Sequence, residues 1–247
     1  MPAKLVQWGA GNIGRSFIGQ IFARNGYEVV FIDIDRTLVD LLNSRRSYRV
    51  EVVSARQRTS LTINGVRAID GRDTTAVLAE IVTADMLSLS LGKQVWPAIA
   101  ETLSRGLLKR LEQRGPVPLD IIIAENIHDG ATTLRKLLAP FLPDDYPFGT
   151  LVGLVQTSIG KMVPIQRGGD PLVMIAESFN TLIVDRDAFT QAIPAFKEIE
   201  AVSPIGAYVD RKLFIHNMGH AVTAYVGFHF HPEEPLLASV LQDPALL

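Results

Sequence analysis

The feature that most constrains the fold is a glycine-rich turn that lies between an apolar strand and a helix at the start of the chain. Residues 5–8 have the composition of a buried strand, residues 15–25 have the pattern of a helix, and between them the chain runs Gly9-Ala10-Gly11-Asn12-Ile13-Gly14. In this context the first glycine allows a tight turn, the second lets a pyrophosphate approach the backbone, and the third lets the helix pack closely on the strand. The free N–H groups and the dipole at the helix N-terminus favour phosphates. The turn therefore predicts a Rossmann-type dinucleotide site.

An acidic residue at the end of the next predicted strand indicates which dinucleotide is bound. The strand at 28–32 ends at Asp33, which is nineteen residues after Gly14. A carboxylate at this place accepts hydrogen bonds from both ribose hydroxyls and repels a 2'-phosphate. NAD is therefore favoured over NADP, although the nearby cations Arg15 and Arg36 weaken that preference.

The chain continues with the alternating strands and helices that predict a doubly wound parallel sheet. Two short strands at 48–53 and 58–63 form an insertion, and Asn64-Gly65 predicts a hairpin turn. Ser90, at the end of a buried strand at 85–91, belongs either to a loop beside the nicotinamide or to a plain turn into the next helix. The expected cofactor-binding residues are Gly9, Ala10, Gly11, Asn12, Ile13, Gly14, Asp33 and Ser90.

Length and composition limit the class of protein. We expect a Rossmann domain with inserted strands at 1–194 and the start of a helical domain at 195–247. The net charge of −2 argues against nucleic-acid binding, and the absence of cysteine excludes disulfides and thiolate metal sites. Without a secretory signal or a membrane-length apolar run, the sequence favours a cytoplasmic protein. His229 and His231 lack a third ligand nearby, so no metal site is expected.

One segment of the predicted helical region places an amine, an amide and an imidazole within nine residues of one another. Residues 205–228 predict a helix, and at about 100° per residue His220 lies about 80° and Asn217 about 140° from Lys212. The three can therefore face one cleft, or Lys212 can be solvated on an ordinary amphipathic helix. A lysine held out of water has a lowered pKa and can take the proton of an alcohol, while amide and imidazole groups stabilise the oxygen as it becomes negative.

A second amide follows the almost uniformly apolar strand at 119–124. Because the carboxyl ends of central strands face the crevice of such a sheet, Asn126 can join Asn217 at a reacting oxygen. Asn126 or Asp129 can equally be the N-cap of the helix that follows. The candidate catalytic residues are Lys212, Asn217, His220 and Asn126.

Three motifs resemble those of the polyol-specific long-chain dehydrogenases, the mannitol dehydrogenase family. They are the glycine turn with its following arginine, Glu125-Asn126 after a buried strand, and Lys212-x4-Asn217-x2-His220, and the similarity covers nearly the whole chain. The resemblance implies a metal-independent enzyme that uses NAD to oxidise a small sugar-alcohol phosphate, mannitol 1-phosphate, to fructose 6-phosphate, and that catalyses the reverse. It implies that Lys212 is the general base, that Asn217 and Asn126 hold the reacting oxygen, and that His220 orients the substrate and polarises the carbonyl.

The chain departs from the family pattern in two places. Where the family carries Val-Asp-Arg, this sequence has Ile159-Gly160-Lys161, so the acid is missing and Lys161 is expected to keep the positive charge of the arginine, near a phosphate. Family members also continue well past the position of Leu247 as a helical domain, so we expect a truncated chain with exposed apolar surface, which fits the mean hydropathy of +0.20. Two alternatives follow: a related dehydrogenase of a free polyol or hexuronate, and an NAD-binding module without catalysis.

Overall fold

The computed structural model describes residues 2–54, 57–164 and 168–246. In this part of the chain the strands are β1 (Lys4–Trp8), β2 (Glu28–Asp33), β3 (Ser47–Val53), β4 (Arg58–Asn64), β5 (Val66–Asp70), β6 (Met86–Leu89), β7 (Leu119–Ile123), β8 (Val152–Ser158), β9 (Val173–Glu177), β10 (Leu182–Asp185) and β11 (Ile199–Val202). The helices are α1 (Gln20–Arg24), α2 (Arg36–Arg45), α3 (Thr74–Thr83), α4 (Trp96–Arg114), α5 (Gly130–Leu138), α6 (Ile205–Asp210), α7 (Asn217–Phe230) and α8 (Leu237–Val240). Two π-helices, Gly14–Gly19 and Arg211–His216, lead into α1 and α7.

The main sheet confirms the expected Rossmann-type α/β fold. Its strands follow the order β11-β10-β8-β7-β6-β1-β2-β5, and the six from β8 to β5 are parallel. That inner order is the doubly wound arrangement in which the chain reverses direction between β1 and β6. β10 then joins β8 in antiparallel orientation, and β11 pairs parallel to β10. The carboxyl ends of the six parallel strands consequently share one edge.

Two apolar layers cover the faces of this sheet. The layer built around Phe17, Phe22 and Phe31 packs the first helix and α2 against the sheet, and the layer around Trp96 and Leu103 does the same for α3 and α4. Strands such as β7 are buried at every position, because helices lie on both of their faces. The sheet is therefore a rigid support for the loops at its carboxyl edge.

The prediction of a hairpin at Asn64-Gly65 is wrong, because β4 and β5 do not pair with each other. β4 pairs with β3 in a separate three-stranded sheet of order β4-β3-β9, whereas β5 leaves the turn to pair with β2 in the main sheet. Asn64-Gly65 does form a turn, and Gly65 has the positive φ of 73° that favours glycine. The partners of β4 and β5 are nevertheless set by contacts with residues distant in sequence. Asn43 on α2 bonds both the N–H and the carbonyl of Ala68, at 2.9 Å each, and so holds β5 in place.

The helix predicted at 205–228 is present, but its middle is a π-helix. α6, the π-helix Arg211–His216 and α7 follow one another without an intervening loop. Large apolar side chains on α7 are exposed, among them Met218, Val222, Tyr225 and Phe228. Within the described ranges, no helix is both long enough and apolar enough to cross a membrane.

Candidate active site

The glycine turn joins the end of β1 to the first helix at the carboxyl edge of the sheet. Gly9 has φ 97°, and its N–H donates to the carbonyl of Ile32 at 2.8 Å. A Cβ at Gly14 would lie 1.9 Å from the Gly9 carbonyl oxygen, so the helix begins against the turn itself. A Cβ at Gly11, in contrast, would meet nothing within 4 Å, and Gly11 is exposed. Gly9 and Gly14 are therefore packed against each other, whereas the backbone of Gly11 is accessible to a ligand.

Asp33 lies at the end of β2, and its carboxylate is hydrogen-bonded to the backbone of the glycine turn. The N–H of Ala10 donates to Asp33 Oδ2 at 2.7 Å, and the N–H of Asp35 donates to Asp33 Oδ1 at 3.0 Å. Each carboxylate oxygen has a second acceptor site, which leaves capacity for further donors. The carboxylate is half-buried beside the turn, where the sequence predicts it.

Ser90 also contacts the turn, from the neighbouring strand. Its Oγ accepts from Gln7 Nε2 at 2.8 Å, and a Cβ at Gly9 would lie 2.3 Å from its carbonyl oxygen. The loop beyond it is held by Glu125, whose Oε1 accepts the N–H groups of Leu91 at 2.7 Å and Gly92 at 2.5 Å. Burial raises the pKa of Glu125, and these two hydrogen bonds oppose that rise. Sequence reasoning missed this role of Glu125, although its position at the end of β7 gave the signal.

Asn126 follows Glu125 at the end of β7 and is exposed. Its Oδ1 accepts from the N–H of Ile159 at 3.1 Å, which ties the ends of β7 and β8 together and leaves the amide N–H groups as donors. Asn126 is not the N-cap of the next helix. Asp129, the other candidate, occupies the N-cap position of α5, which begins at Gly130, but its side chain makes no capping hydrogen bond.

Of the three residues expected to face one cleft, Lys212 and His220 line one cavity of about 620 Å³. The cavity lies at the carboxyl end of β8, beside the start of the antiparallel β10 and the end of β9. Its walls include Ser158, Glu177, Ile183, Lys212, His216 and His220. Asn217 is on the same helix and exposed, but it is not among the residues that line this cavity, and neither is Asn126.

His216 is a cavity residue that sequence reasoning missed. At about 100° per residue it falls about 40° from Lys212, between Lys212 and His220, so the helical pattern contained the signal. The rings of His216 and His220 meet edge to face with centroids 4.6 Å apart. Burial lowers the pKa of His216, and the positive charges of Lys212 and His220 lower it further.

The electrostatics of the cavity favour a neutral amine. Burial lowers the pKa of Lys212, and the negative charge of Glu177 partly opposes this. A larger share of Lys212 is therefore unprotonated near neutral pH than for a solvated lysine. The arrangement can consequently accept a proton from a hydroxyl group placed in the cavity.

Lys161 does not face the cavity as a free cation. Its Nζ donates to the carbonyl oxygens of Glu177 at 2.9 Å and Phe179 at 2.7 Å, and to Asn180 Oδ1 at 3.3 Å. Burial lowers its pKa to about 8, opposed by the charge of Glu177. The three acceptors use the three donors of the ammonium, so, contrary to expectation, Lys161 has none left for a phosphate.

A histidine ion pair joins the Asn126 loop to the helix that carries Lys212. His128 Nε2 lies 3.0 Å from Asp210 Oδ1, and His128 Nδ1 lies 3.1 Å from Asp129 Oδ2. These two hydrogen bonds, that of Asp129 first, raise the pKa of His128. The charged imidazole therefore stabilises the folded state relative to the unfolded one.

Replacing His128 with asparagine is expected to make the chain less stable only at low pH. Because the folded pKa is raised, the contribution is complete below the unfolded pKa of about 6.5 and disappears as pH rises through the folded value. Urea unfolding of both chains between pH 5 and pH 9 measures the difference. His229→Asn, at an exposed histidine of α7, is the control. A difference that is constant across this range would contradict the ion pair.

The match to a family model covers most of the chain. Residues 3–198 match the mannitol dehydrogenase Rossmann domain. The chain belongs to the mannitol dehydrogenase family. The matched range holds the glycine turn, Asp33 and Asn126, while Lys212 and His220 lie beyond it.

Comparisons with a curated relative and with solved structures extend this result. The chain is 36% identical over 225 residues to mannitol-1-phosphate 5-dehydrogenase of Brevibacillus brevis, a match that covers 90% of this chain and 58% of that relative. Among solved structures, Pseudomonas fluorescens mannitol 2-dehydrogenase in a ternary complex with NAD and D-mannitol has a TM-score of 0.77 at 14% identity, covering 99% of this chain and 61% of that one. Octopine dehydrogenase with NADH and L-arginine has a TM-score of 0.58 at 11% identity, and the match covers 95% of this chain and 56% of that one. The chain thus spans about three fifths of these proteins.

Proposed function

We propose that this chain takes part in the NAD-dependent oxidation of mannitol 1-phosphate to fructose 6-phosphate, and in its reverse. The observation that carries the proposal is the cavity in which Lys212, His216 and His220 meet at the sheet edge that also holds the glycine turn. The turn follows β1 and the cavity follows β8, three strands away, which is roughly 14 Å at the usual strand spacing. Similarity to the mannitol-1-phosphate 5-dehydrogenase of B. brevis supports this substrate.

The residues of the turn fit a bound NAD. Gly11 offers open backbone where a pyrophosphate approaches, and the close contact of Gly14 with Gly9 brings the helix N-terminus to the same place. Asp33 has acceptor capacity for ribose hydroxyls, and Ser90 lies between the turn and β7. Ala10, Asn12 and Ile13 complete the backbone of the proposed site. Bound NAD supplies the hydride acceptor.

The chain's own side chains handle the proton. Neutral Lys212 takes the proton from the substrate hydroxyl group while the carbon that bears this hydroxyl loses its hydride. The O–H bond breaks and an N–H bond forms on the lysine. The imidazole of His220, which lines the same cavity as Lys212, stabilises the oxygen as its negative charge grows. The roles expected for Asn126 and Asn217 stay predictions, since neither residue lines this cavity. In the reverse direction the Lys212 ammonium returns the proton to the alkoxide.

The charge of the cavity favours an anionic substrate. Arg211 lines it, stacks on Tyr208 at 4.8 Å, and is exposed beside Lys212 and the two histidines. A phosphate monoester can accept charge-assisted hydrogen bonds from the Arg211 guanidinium, whereas a free polyol carries no charge for it to pair with. The charge of Arg211 therefore favours the phosphorylated substrate over mannitol.

Comparing three substrates at equal concentration tests the proposal. We expect kcat/KM for mannitol 1-phosphate to exceed that for mannitol and for a hexuronate by about tenfold or more, followed as NADH absorbance, because each lacks the phosphate contacts. A higher value for either other substrate would overturn the phosphate assignment.

A second candidate is an NAD-binding module without turnover. It is favoured by the exposed apolar side chains of α7, the helix that carries His220. NADH fluorescence together with an activity assay on one sample separates the two, since binding without turnover supports the module. The domain division at residue 194 and the cytoplasmic location stay predictions.

A further inference from the structure

The connection between β9 and β10 forms part of the cavity wall. It comprises residues 178–181, which lie outside the helices and strands. Phe179, within this connection, lines the cavity together with Gly160, and its side chain is 41% exposed. A ring carried by an irregular segment keeps one position only where other groups hold the backbone on which it stands.

The side chain of Lys161 holds that backbone. Its Nζ donates to the carbonyl oxygens of Glu177 at 2.9 Å and of Phe179 at 2.7 Å. A third N–H donates to Asn180 Oδ1 at 3.3 Å. The three donors of one ammonium are thus used on a stretch of four consecutive residues, 177–180, that has the ring within it.

The buried part of the fold supports this ammonium in turn. Lys161 Nζ lies 5.7 Å from the centroid of the Phe17 ring, a distance at which a cation and an aromatic face attract each other. Asn180 Oδ1, which accepts from Lys161, also accepts from Gln20 Nε2 on α1. Phe17 and Gln20 are both buried. The connection is therefore fastened to the first helix of the Rossmann sheet.

Hydrogen bonding, rather than packing, accounts for a lysine at this place. Lys161 is only 6% exposed, and burying an ammonium is costly unless its hydrogen bonds are made. An apolar side chain of similar length would avoid that cost, but it would leave the carbonyl oxygens of Glu177 and Phe179 without this donor. Removing the ammonium is therefore expected to release the connection.

The ring of Phe179 also packs against the backbone of Gly160. The three nearest neighbours of a Cβ at Gly160 would all be atoms of this ring, beginning with Cε1 at 2.9 Å. That is closer than real Cβ atoms approach other atoms, so the ring must move to admit one. A methyl group at residue 160 is thus a second way to displace the ring, and it leaves the ammonium of Lys161 in the chain.

We propose that Lys161 is a positioning residue that holds the Phe179 ring as a fixed wall of the substrate cavity. The inference rests on the proposed function, because this cavity is the one that Lys212 and His220 line. The ring offers apolar surface to the carbon chain of the substrate, while the polar residues of the cavity meet its oxygen atoms. Lys161 acts through Phe179 and touches no reacting atom.

The position of the ring can be measured without turnover. In a chain labelled with para-fluorophenylalanine, the Phe179 fluorine signal, assigned through its loss in Phe179→Leu, is expected to shift or broaden in Lys161→Met and in Gly160→Ala. Lys136→Met, at an exposed lysine of α5, is the control and should leave the signal unchanged. An unchanged Phe179 signal in Lys161→Met would overturn the role of Lys161. A chain without turnover would refute the proposed function instead, so the two failures are distinguishable.

Kinetics tests whether the held ring serves the substrate. In Lys161→Met, KM for mannitol 1-phosphate is expected to rise about tenfold while kcat changes by less than about threefold, since the displaced wall weakens binding and Lys212 keeps its place. Gly160→Ala is expected to raise KM as well. In a Phe179→Ala chain, Lys161→Met is expected to have little further effect on KM, because the ring that it positions is gone. An equal rise in KM with and without the ring would indicate a merely structural role and would contradict the inference.

Discussion

Replacing Lys212 with alanine is expected to lower turnover by about a thousandfold while NADH affinity stays within about twofold. The loss follows because Lys212 is the amine that burial makes partly neutral in the cavity. NADH affinity is retained because the proposed cofactor contacts lie three strands away, at the glycine turn. Steady-state rates and NADH fluorescence on the same preparation measure both quantities. Lys197→Ala, at a side chain that is 83% exposed, is the control and should change neither.

An added amine distinguishes a missing base from a damaged structure. The alanine chain leaves space in a cavity that reaches solvent, so a small primary amine such as methylamine is expected to restore part of the activity in proportion to its unprotonated concentration. The same amine should have no effect on the unaltered chain. Equal losses of NADH binding and turnover in Lys212→Ala, or rescue by ammonium salts regardless of pH, would contradict the assignment of Lys212 as base.

The parts of the fold that sequence predicts are those set by local chemistry. The order of apolar strand, glycine turn, helix and acid-terminated strand is contained in the first 33 residues, and the structure reproduces it from β1 to Asp33. The partner of each inserted strand is not local. β4 and β5 are joined by the expected turn, yet their partners are β3 and β2, because Val66 and Ala68 gain burial in the main sheet.

The same distinction applies to the candidate site. Lys212 and His220 share one helix, so their common face follows from helical geometry even though the π-helix changes the local spacing. Glu177 comes from a strand of the small sheet and Phe179 from the loop after it, and nothing in their local sequence places them against Gly160. The contact between Phe179 and Gly160 is therefore visible only in the folded structure.

Replacing Gly14 with alanine is expected to destabilise the fold and remove NADH binding together. The new methyl group would lie 1.9 Å from the Gly9 carbonyl oxygen and 3.0 Å from Ser90 Oγ. Because the nearest atom is backbone, the helix must move away from β1, at a cost of about 3 kcal/mol or more. For a chain of this size that corresponds to a fall of about 8 °C in Tm. Thermal unfolding and NADH titration by fluorescence measure the two effects.

Gly11→Ala is the matched control, three residues earlier in the same turn. Its methyl group would meet no protein atom within 4 Å, so Tm is expected to stay within about 2 °C. NADH affinity should nevertheless fall by about tenfold, since the methyl group stands where the pyrophosphate approaches. This separation of stability from binding is specific to a dinucleotide site. If Gly11→Ala bound NADH normally, or if Gly14→Ala lost stability but kept its affinity, the proposed cofactor site would be in the wrong place.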